Sequence, residues 1–435
     1  MTHRLVLAGS VAALVAVAVL LGGALRGGAT SAAGAPPSVA ADRLQSGFST
    51  GDTPSLLRSL QSSLREHPED AKTWSLLGLA YQQRARETGD PAYYSKSNGV
   101  LRRALALAPD DLLATSGLGS LALSRHRFGE ALHLGRTALA LSPSTARNYG
   151  VVGDALVELG RYRQAFRAFD TMARLRPGLS AYSRVSYARE LLGDQSGAVA
   201  AMQLAVSAAV DAPEASAWTH VQLGKLYWAR GRLGAASAEF RAALTYFPGY
   251  VYAYDALAQV EWARGRHARA VALEQRAVDT IPLPQFVGSL GDMLRLSGKP
   301  AAAQRQYATE DGIRRLLAAN GVRTDLETAL FDVDHGLRLR ASLALARKAE
   351  RARPSIDGED VLAWALVRNG RCDEALHYSQ RALRLGTRDA TKYFHRGMIE
   401  RCLGRTATAQ AWFRRALGLN PHFSVLWSAL ARRNA

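Results

Sequence analysis

The stretch GDALVELGRYRQAFRAFDTMARLRP, Gly153 to Pro177, has the Ala/Leu/Arg-rich composition of a helical segment. Gly153 and Gly160 nevertheless interrupt it seven residues apart, and a proline closes it. An interior glycine destabilises a helix by roughly 1 kcal/mol relative to alanine, so two glycines in one segment need a physical reason. The rest of the chain supplies one, because the same spacing recurs.

Prolines and small residues recur with a period of 34 residues. The recurring positions are Pro109, Pro143 and Pro177, then Pro248 and Pro282; Ala131, Ala165, Ala236 and Ala270; Ala104, Ala138, Ala243 and Ala277; and Gly119, Gly153 and Gly224. Helix axes about 8 to 10 Å apart exclude large side chains where they cross, so these small residues predict the crossing of two helices in each period. Gly160, Gly231 and Gly265 fall where the chain must reverse between those helices. Gly153 is therefore predicted to be a packing residue and Gly160 a loop residue.

This pattern resembles the tetratricopeptide repeat, a 34-residue helix-turn-helix unit of the form W-x2-L-G-x2-Y followed by A, F, A and P. The stretch WSLLGLAY reproduces the first helix at Trp74, Leu77, Gly78 and Tyr81. Later units match at Tyr149, Gly153, Ala165, Phe169 and Pro177; at Leu223, Gly224, Tyr227, Ala236, Phe240, Ala243 and Pro248; and at Tyr393, Gly397, Gly404, Ala409, Phe413, Ala416 and Pro421. The resemblance covers roughly residues 53–434 and implies an all-α fold, a right-handed superhelical solenoid of helix-turn-helix units.

We expect six segments along the chain. They are a signal anchor or signal peptide at 1–26, a flexible tether at 27–52, an N-terminal half-repeat at 53–70, a regular array of about seven units at 71–321, C-terminal units with a degenerate first member at 322–423, and a capping helix at 424–435. Three departures from regularity are expected: longer helices joined at Gly89-Asp90-Pro91, a closing proline displaced to Pro213, and a second helix IRRLLAANG that overruns to an Asn-Gly cap.

The N-terminus carries an uncharged apolar run from Leu5 to Leu25, preceded by Arg4. As a helix this run would rise about 31 Å, the thickness of a bilayer core. It predicts a single-pass anchor in the cell membrane with the N-terminus inside and the repeats outside. Cleavage at the small residues Ser31 to Ala33 or Ala33 to Ala35, which would release a secreted form, is the alternative.

Composition narrows the function classes. The chain has 55 basic and 37 acidic residues, a net charge of +18, and its strong arginine and alanine bias is more typical of a GC-rich genome than of a nucleic-acid surface. We therefore expect no nucleic-acid partner.

Two cysteines exclude a disulfide-dense mini-fold. In the repeat register, Cys372 begins one second helix and Cys402 ends the next first helix, so they are either disulfide-bonded neighbours or two separately buried thiols.

No nucleotide-binding loop, nucleophile elbow or zinc motif is present in the sequence. The chain is therefore predicted to be no enzyme and to need no cofactor. Asp332, Asp334 and His335 offer a metal-ligand set, with ordinary solvated groups as the alternative. The basic tract RLRASLALARKAERAR, residues 338–353, is either a contact for an anionic surface or the solvated face of a second helix.

A stripe at positions 2, 5, 9 and 12 of each first helix remains after the packing positions are assigned. The resemblance implies that this stripe lines a concave groove that binds peptides, although the lysines and asparagines with which some members clamp a carboxylate are missing. The predicted partner-binding residues are Tyr187, Trp218, Gln222, Lys225, Trp228, Tyr252, Asp255, Gln259 and Trp262. We expect the rings to form one solvent-facing patch, with packing between units as the alternative.

The predicted function is that of a membrane-tethered scaffold for protein partners, bound through their peptide segments, with the N-terminal helix in the membrane. A receptor for a non-protein ligand such as an envelope polysaccharide is the alternative, because aromatic rings with interleaved polar groups also hold sugars.

Overall fold

A computed structural model describes residues 52–209 and 212–435. Within these ranges the chain forms α-helices and no strand. The helices are α1 (Thr53–Glu66), α2 (Ala71–Thr88), α3 (Ala92–Leu107), α4 (Leu112–Ser124), α5 (Phe128–Leu141), α6 (Ala146–Glu158), α7 (Tyr162–Leu175), α8 (Leu179–Leu191), α9 (Gln195–Ser207), α10 (Pro213–Ala229), α11 (Leu233–Tyr246), α12 (Val251–Ala263), α13 (His267–Thr280), α14 (Pro284–Leu296), α15 (Pro300–Ala319), α16 (Asp325–His335), α17 (Leu339–Ala352), α18 (Ile356–Arg368), α19 (Cys372–Ala382), α20 (Ala390–Cys402), α21 (Thr406–Leu419) and α22 (Ser428–Asn434). This architecture confirms the predicted all-α solenoid.

Helices pair as hairpins along the chain, each even-numbered helix from α2 to α20 with the helix that follows it. Helix α1 precedes the first pair and packs on α2, and α22 follows the last pair and packs on α21. Aspartates cap several first helices; the Asp70 carboxylate, for example, accepts a hydrogen bond from the Thr73 N–H at 3.1 Å. Such a cap satisfies a backbone donor that the first turn leaves without an intrahelical partner.

The small residues of the repeat lie where the paired helices meet. A methyl group on Gly153 would overlap the ring of Phe169, which comes from the second helix of the same unit. Gly397 and Phe413 show the same arrangement, because a Cβ on Gly397 would lie only 2.6 Å from that ring. The missing side chain therefore makes room for a buried aromatic ring, and the predicted packing role of Gly153 is confirmed.

The turn glycines also behave as predicted. Gly160, Gly231 and Gly265 have φ angles of 68°, 67° and 76°, a left-handed conformation in which other residues are strained. Gly89 ends α2 in the same conformation, as expected for the lengthened first unit. Helix α15 runs on to an Asn-Gly end, which confirms the predicted overrun. Pro213 differs from expectation, because it is the first residue of α10 and does not close the preceding unit.

The solenoid contacts itself after one superhelical turn. Arg125 donates to the carbonyl oxygen of Asn320 at 2.6 Å across 195 residues, and the Asn420 amide donates to the carbonyl oxygen of Trp228 at 2.8 Å across 192 residues. Because the separation is nearly constant, slightly under six 34-residue units complete a turn. We call the units from α2 to α11 the first coil and those from α12 to α21 the second coil.

Each coil has two edges. The hairpin edge is formed by the turns between paired helices, and the loop edge by the loops that join one unit to the next. The hairpin edge of the first coil packs against the loop edge of the second: the backbone N–H of Ile356 donates to the Tyr162 hydroxyl at 2.7 Å, and the Thr387 hydroxyl donates to the carbonyl oxygen of Leu191. The second coil therefore lies directly against the first.

Candidate functional site

The predicted aromatic residues lie on the first helices α8, α10 and α12, and they are buried to different extents. Trp218 is 3% exposed and belongs to an apolar cluster of the core. Trp228 and Tyr252 are partly buried against the same cluster, while Trp262 and Tyr187 pack against two others. The alternative, packing between units, therefore describes Trp218, whereas the other four rings are partly exposed and binding by this set stays a prediction.

Contacts with segments far along the chain contribute to this burial. Tyr187 packs against the cluster that contains Ile356 from the second coil. Trp262 packs against a cluster that also receives Val425 from the segment preceding α22. These rings are therefore covered by residues far along the chain as well as by adjacent units.

Three polar side chains of the predicted site are buried without a hydrogen-bond partner in the part of the chain that the structure describes. They are Trp218 through Nε1, Gln222 through Nε2 and Gln259 through both amide atoms, and Gln222 and Gln259 are only 6% and 7% exposed. Gln82 is also buried but differs, because its amide pairs with Gly117 and with other neighbours. An unpaired buried polar group costs about 1 to 3 kcal/mol, so these three side chains lower the stability of the fold unless another group pairs with them.

The charged residues of the predicted site are half-buried. Lys225 and Asp255 both have interaction partners. Lys225 also acts on Glu190 of α8, whose pKa burial raises to about 7 with the help of the nearby Asp389 and Asp357, while Lys392 and Lys225 oppose the rise. This carboxyl was not found from the sequence, because two of the charges around it are about 200 residues away.

Ion pairs connect first helices to each other and to the next coil. Arg184 donates to both carboxylate oxygens of Asp154 at 3.1 Å, which joins α8 to α6. Arg353 is 5% exposed and bridges Glu158 of the first coil and Glu327 of the second. Arg353 ends the basic tract, so the interpretation of that tract as a solvated face is wrong at this residue.

The cluster of Asp332, Asp334 and His335 is structural. Asp332 and Asp334 are 3% and 5% exposed, so the interpretation of these residues as solvated groups is wrong. The indole of Trp364 donates to Asp334 at 2.8 Å, and His335 contacts the carboxylate of Asp292 at 2.7 Å. Among the described residues, no three His, Cys, Asp or Glu side chains are arranged to hold a metal ion.

Cys372 and Cys402 join neighbouring units. Their Cα atoms are 5.8 Å apart, and the structure links the two sulfur atoms in a disulfide across 30 residues. Cys372 begins α19 directly after the hairpin turn at Gly370, and Cys402 ends α20 just before the turn at Gly404. The bond therefore ties together two successive turns on the hairpin edge of the second coil.

The apolar run from Leu5 to Leu25 lies outside the described residues, and so does almost all of the expected tether. In the part of the chain that is described, no helix has the length and the apolar character needed to cross a membrane.

Comparison with known proteins identifies the repeat. The tetratricopeptide repeat family matches residues 94–146, 221–283 and 361–422, which lie in both coils. Cellulose synthase operon protein C of Xanthomonas axonopodis pv. citri (strain 306) is 27% identical over 339 residues. That match covers 73% of this chain and 19% of the relative, so the chain spans about a fifth of the length of the curated relative it matches.

Solved structures give partial likenesses. The human IFIT1 dimer with PPP-AAAA is 17% identical with a TM-score of 0.48, and the match covers 77% of this chain and 78% of that chain. TTC0263, a thermophilic TPR protein in Thermus thermophilus, is 25% identical with a TM-score of 0.35. That second match covers 42% of this chain and 92% of the other.

Proposed function

Because this chain is built from tetratricopeptide repeats, we propose that it is a non-catalytic scaffold that binds a peptide segment of a protein partner along the inner first helices α10 and α12. The predicted residues Trp218, Gln222 and Gln259 hold the ligand backbone. Trp228, Tyr252 and Trp262 supply apolar contact, while Lys225, Asp255 and Tyr187 border the site.

The unpaired polar atoms of Trp218, Gln222 and Gln259 carry this proposal. An indole offers one N–H donor, and each amide offers donors and an acceptor. An extended peptide presents carbonyl oxygens and N–H groups alternately, so its backbone meets both needs without demanding a particular side chain. Pairing removes the cost of leaving the protein atoms unsatisfied, and that gain adds to the affinity.

Apolar replacement of the two amides tests the proposal. A partner is first isolated by capture on the full-length chain from solubilised membranes, and its segments are then titrated as synthetic peptides. Gln222→Met with Gln259→Met keeps the side-chain volume and removes the hydrogen-bonding atoms. We expect peptide affinity to fall about tenfold while the melting temperature holds or rises, because unpaired buried polar groups are removed. Unchanged affinity would refute the assignment.

The matched control is Gln82→Met in α2. Gln82 is buried like Gln259, but its amide is paired with Gly117 and Ser120. This variant leaves partner atoms unsatisfied, so its melting temperature falls while peptide affinity stays the same. The opposite responses of the two variants separate a binding role from a packing role.

A polysaccharide is the second candidate ligand. The curated relative is named as a product of a cellulose synthase operon, and this favours a sugar ligand of the cell envelope. Hydroxyl groups would satisfy the amides of Gln222 and Gln259, and sugar rings would stack on Trp228 or Trp262. Titration with soluble β-linked glucose oligomers distinguishes the two candidates: heat of binding that both glutamine substitutions abolish supports the sugar, and no binding at millimolar concentration excludes it.

We also propose that the run from Leu5 to Leu25 anchors the chain in the cell membrane with the repeats outside. In that case protease added to intact cells degrades the repeats, and they fractionate with the membrane. A soluble form beginning near Gly34 would show cleavage and secretion instead, and protection of the repeats would contradict export.

A further inference from the structure

The hairpin edge of the second coil is not covered by described residues of the first coil. A Cβ added to Gly298 or Gly404 would meet no described atom within 4 Å, and both glycines are exposed. The first coil differs, because a Cβ on Gly89 would lie 2.7 Å from the side chain of Ile281. The turns of the second coil therefore present their side chains to the surroundings.

Two adjoining turns of this edge carry exposed leucines. Leu296 ends α14 and is 46% exposed, and Leu337 follows α16 and is 39% exposed. The turns adjoin, because the His335 imidazole contacts the carboxylate of Asp292 in α14 at 2.7 Å. A single exposed leucine is common on protein surfaces, but two on neighbouring turns form an apolar surface that a partner can bury.

Basic side chains surround these leucines. Lys299 and Arg340 are exposed, and neither has a hydrogen bond or an ion pair with a described residue. Arg338 is 54% exposed and pairs with a buried carboxylate. Residues 293–304 and 336–345 include no acidic residue, so the surface of the two turns is positive. We call it the basic turn patch, and its exposed residues are Arg295, Leu296, Lys299, Leu337, Arg338 and Arg340.

An equivalent residue of the first coil shows what a basic side chain at such a turn binds. Arg127 directly precedes α5 and donates to the carbonyl oxygen of Gly321 in the second coil at 3.2 Å. Lys299 directly precedes α15, at the same place in its unit, and it has no such acceptor among the described residues. An oxygen that carries negative charge would complete this position with a stronger hydrogen bond than a carbonyl oxygen gives.

We propose that the basic turn patch binds the surface of an anionic lipid membrane, with Lys299 and Arg340 beside lipid phosphates and Leu296 and Leu337 at the boundary between headgroups and acyl chains. Binding to such a surface grows with the apolar area buried and with the number of basic residues near anionic lipids. A soluble polyanion matches the charges but offers no apolar layer for the leucines. Arg340 belongs to the basic tract 338–353, for which an anionic surface was one of two expected contacts. This inference goes beyond peptide binding and the N-terminal anchor, because it assigns a membrane contact to the repeats themselves.

Vesicles of two compositions test this contact with the full-length chain. Neutral vesicles contain phosphatidylcholine, and anionic vesicles also contain about 30% phosphatidylglycerol. One solvatochromic dye is attached without reductant to Ser297→Cys in the first of the two turns. The matched label is on Ala318→Cys, which is exposed about 27 Å farther along α15.

We expect brominated acyl chains to quench the dye at position 297 in anionic vesicles at low salt. The dye at position 318 should stay unquenched in both kinds of vesicle. Salt at about 0.5 M should reverse the quenching at position 297, because it screens the attraction to the headgroups. Equal quenching of both dyes would contradict binding through the basic turn patch.

Flotation of the same vesicles separates this contact from the proposed N-terminal anchor. A chain that floats with neutral vesicles and is quenched at position 297 only in anionic vesicles supports both proposals. A chain that floats and is quenched only with anionic vesicles supports the patch and contradicts the anchor. If the dye at position 297 stays unquenched in anionic vesicles, the patch proposal is overturned whether or not the chain floats.

Charge reversal tests the basic residues. Lys299→Glu with Arg340→Glu breaks no ion pair with a described residue, so the melting temperature should hold, while the ratio of docked to undocked chain falls at least about tenfold. The matched control is Arg136→Glu with Arg167→Glu, which makes the same charge change at exposed positions of α5 and α7 in the first coil. An equal loss in both variants would mean that net charge alone attracts the chain, and it would overturn the assignment to the patch.

The leucines distinguish a membrane from a soluble polyanion. Leu296→Ser with Leu337→Ser should lower docking to anionic vesicles severalfold, because less apolar area is buried. The same variant should bind dextran sulfate, a soluble polyanion, as the wild type does. A leucine variant that docks to vesicles like the wild type would show that the contact is purely ionic, and the membrane proposal would then fail in favour of a soluble polyanion.

Discussion

The hairpin turns of the two coils have the same local structure and opposite surroundings. Gly160 and Gly265 both have a left-handed backbone, with φ of 68° and 76°. A methyl group on Gly160 would overlap the carbonyl oxygen of Pro354 in the second coil, whereas one on Gly265 would meet nothing within 4 Å. The same turn is thus part of an interface in the first coil and only a chain reversal in the second.

Different bonds stabilise the two hairpin edges. The first coil's edge is held by contacts with the second coil, including the buried Arg353 between Glu158 and Glu327. The second coil's edge has the disulfide between Cys372 and Cys402. The disulfide ties adjacent turns together at an edge that no described residue of another coil covers. This difference between the two hairpin edges leads to four predictions.

The largest effect is expected for Arg353→Met. This change leaves the carboxylates of Glu158 and Glu327 buried without their cation, so the free energy of unfolding should fall by about 3 to 5 kcal/mol. Arg371→Met on the open edge breaks the half-exposed pair with Glu374 and should cost less than about 1 kcal/mol. Urea denaturation followed by circular dichroism measures both. Equal losses would mean that contact between the coils adds no stability.

Removal of the disulfide comes next. Closing a loop of 30 residues stabilises a fold by about 3 to 4 kcal/mol in the chain-entropy model, so Cys372→Ser with Cys402→Ser should lower stability by up to that amount. Hydrogen exchange should accelerate around Gly370 and Gly404 and stay unchanged around Gly160. Thiol labelling of the denatured, unreduced wild type gives the direct check, and two labelled thiols would contradict the bond.

Substituting alanine for a turn glycine in each coil compares the two coils most directly. Gly265→Ala strains a left-handed residue and should cost about 1 kcal/mol. Gly160→Ala carries the same strain and also pushes against Pro354, which should add about 1 to 2 kcal/mol. Melting temperatures of the two variants, measured side by side, test the difference. Equal shifts would show that the first coil separates from the second without cost.

The smallest effect concerns pH. Burial raises the folded-state pKa of Glu190 to about 7, above its ordinary value of about 4.5, so the folded state holds a proton that the unfolded state releases. The stabilisation that this proton on Glu190 gives to the folded state is fully present below about pH 4.5 and is lost as the pH rises through about 7. Glu190→Gln should therefore gain on the order of 1 kcal/mol relative to wild type at pH 8 and little at pH 4.

The control for this pH effect is Glu130→Gln on the second helix α5, where the side chain of Glu130 is 36% exposed. Its melting temperature, measured from pH 4 to pH 8, gives the effect of removing a partly exposed carboxylate. A Glu190→Gln variant that follows the wild type over this range would mean that the carboxyl is ionised in the fold at neutral pH.

Local patterns were enough to predict the repeat unit. Gly153, Phe169 and Gly160 lie within 17 residues of one another, and the contacts that explain them occur inside one helix hairpin. The overrun of α15 and the break at Gly89 were also predicted, because caps and breakers act on the nearest few residues. Binding by the inner stripe stays a prediction.

Contacts with segments far along the chain were not predicted. Trp262 was assigned to an exposed stripe, but Val425 lies in the cluster against which it packs. Arg353 was assigned to a solvated tract, yet it is buried against Glu158, 195 residues earlier in the chain. No pattern with a 34-residue period encodes such a pair, because the pair depends on how far each unit rotates relative to the one before it.

The sequence by itself therefore determined the helix hairpin and its repetition, since steric exclusion at Gly153 and backbone freedom at Gly160 are short-range effects. Only the tertiary structure decided which faces are buried, where the inner carboxyl Glu190 has its charged neighbours, and which edges stay open. Small rotations add up over nearly six units, and whether one coil reaches the next depends on their sum, which no single residue specifies.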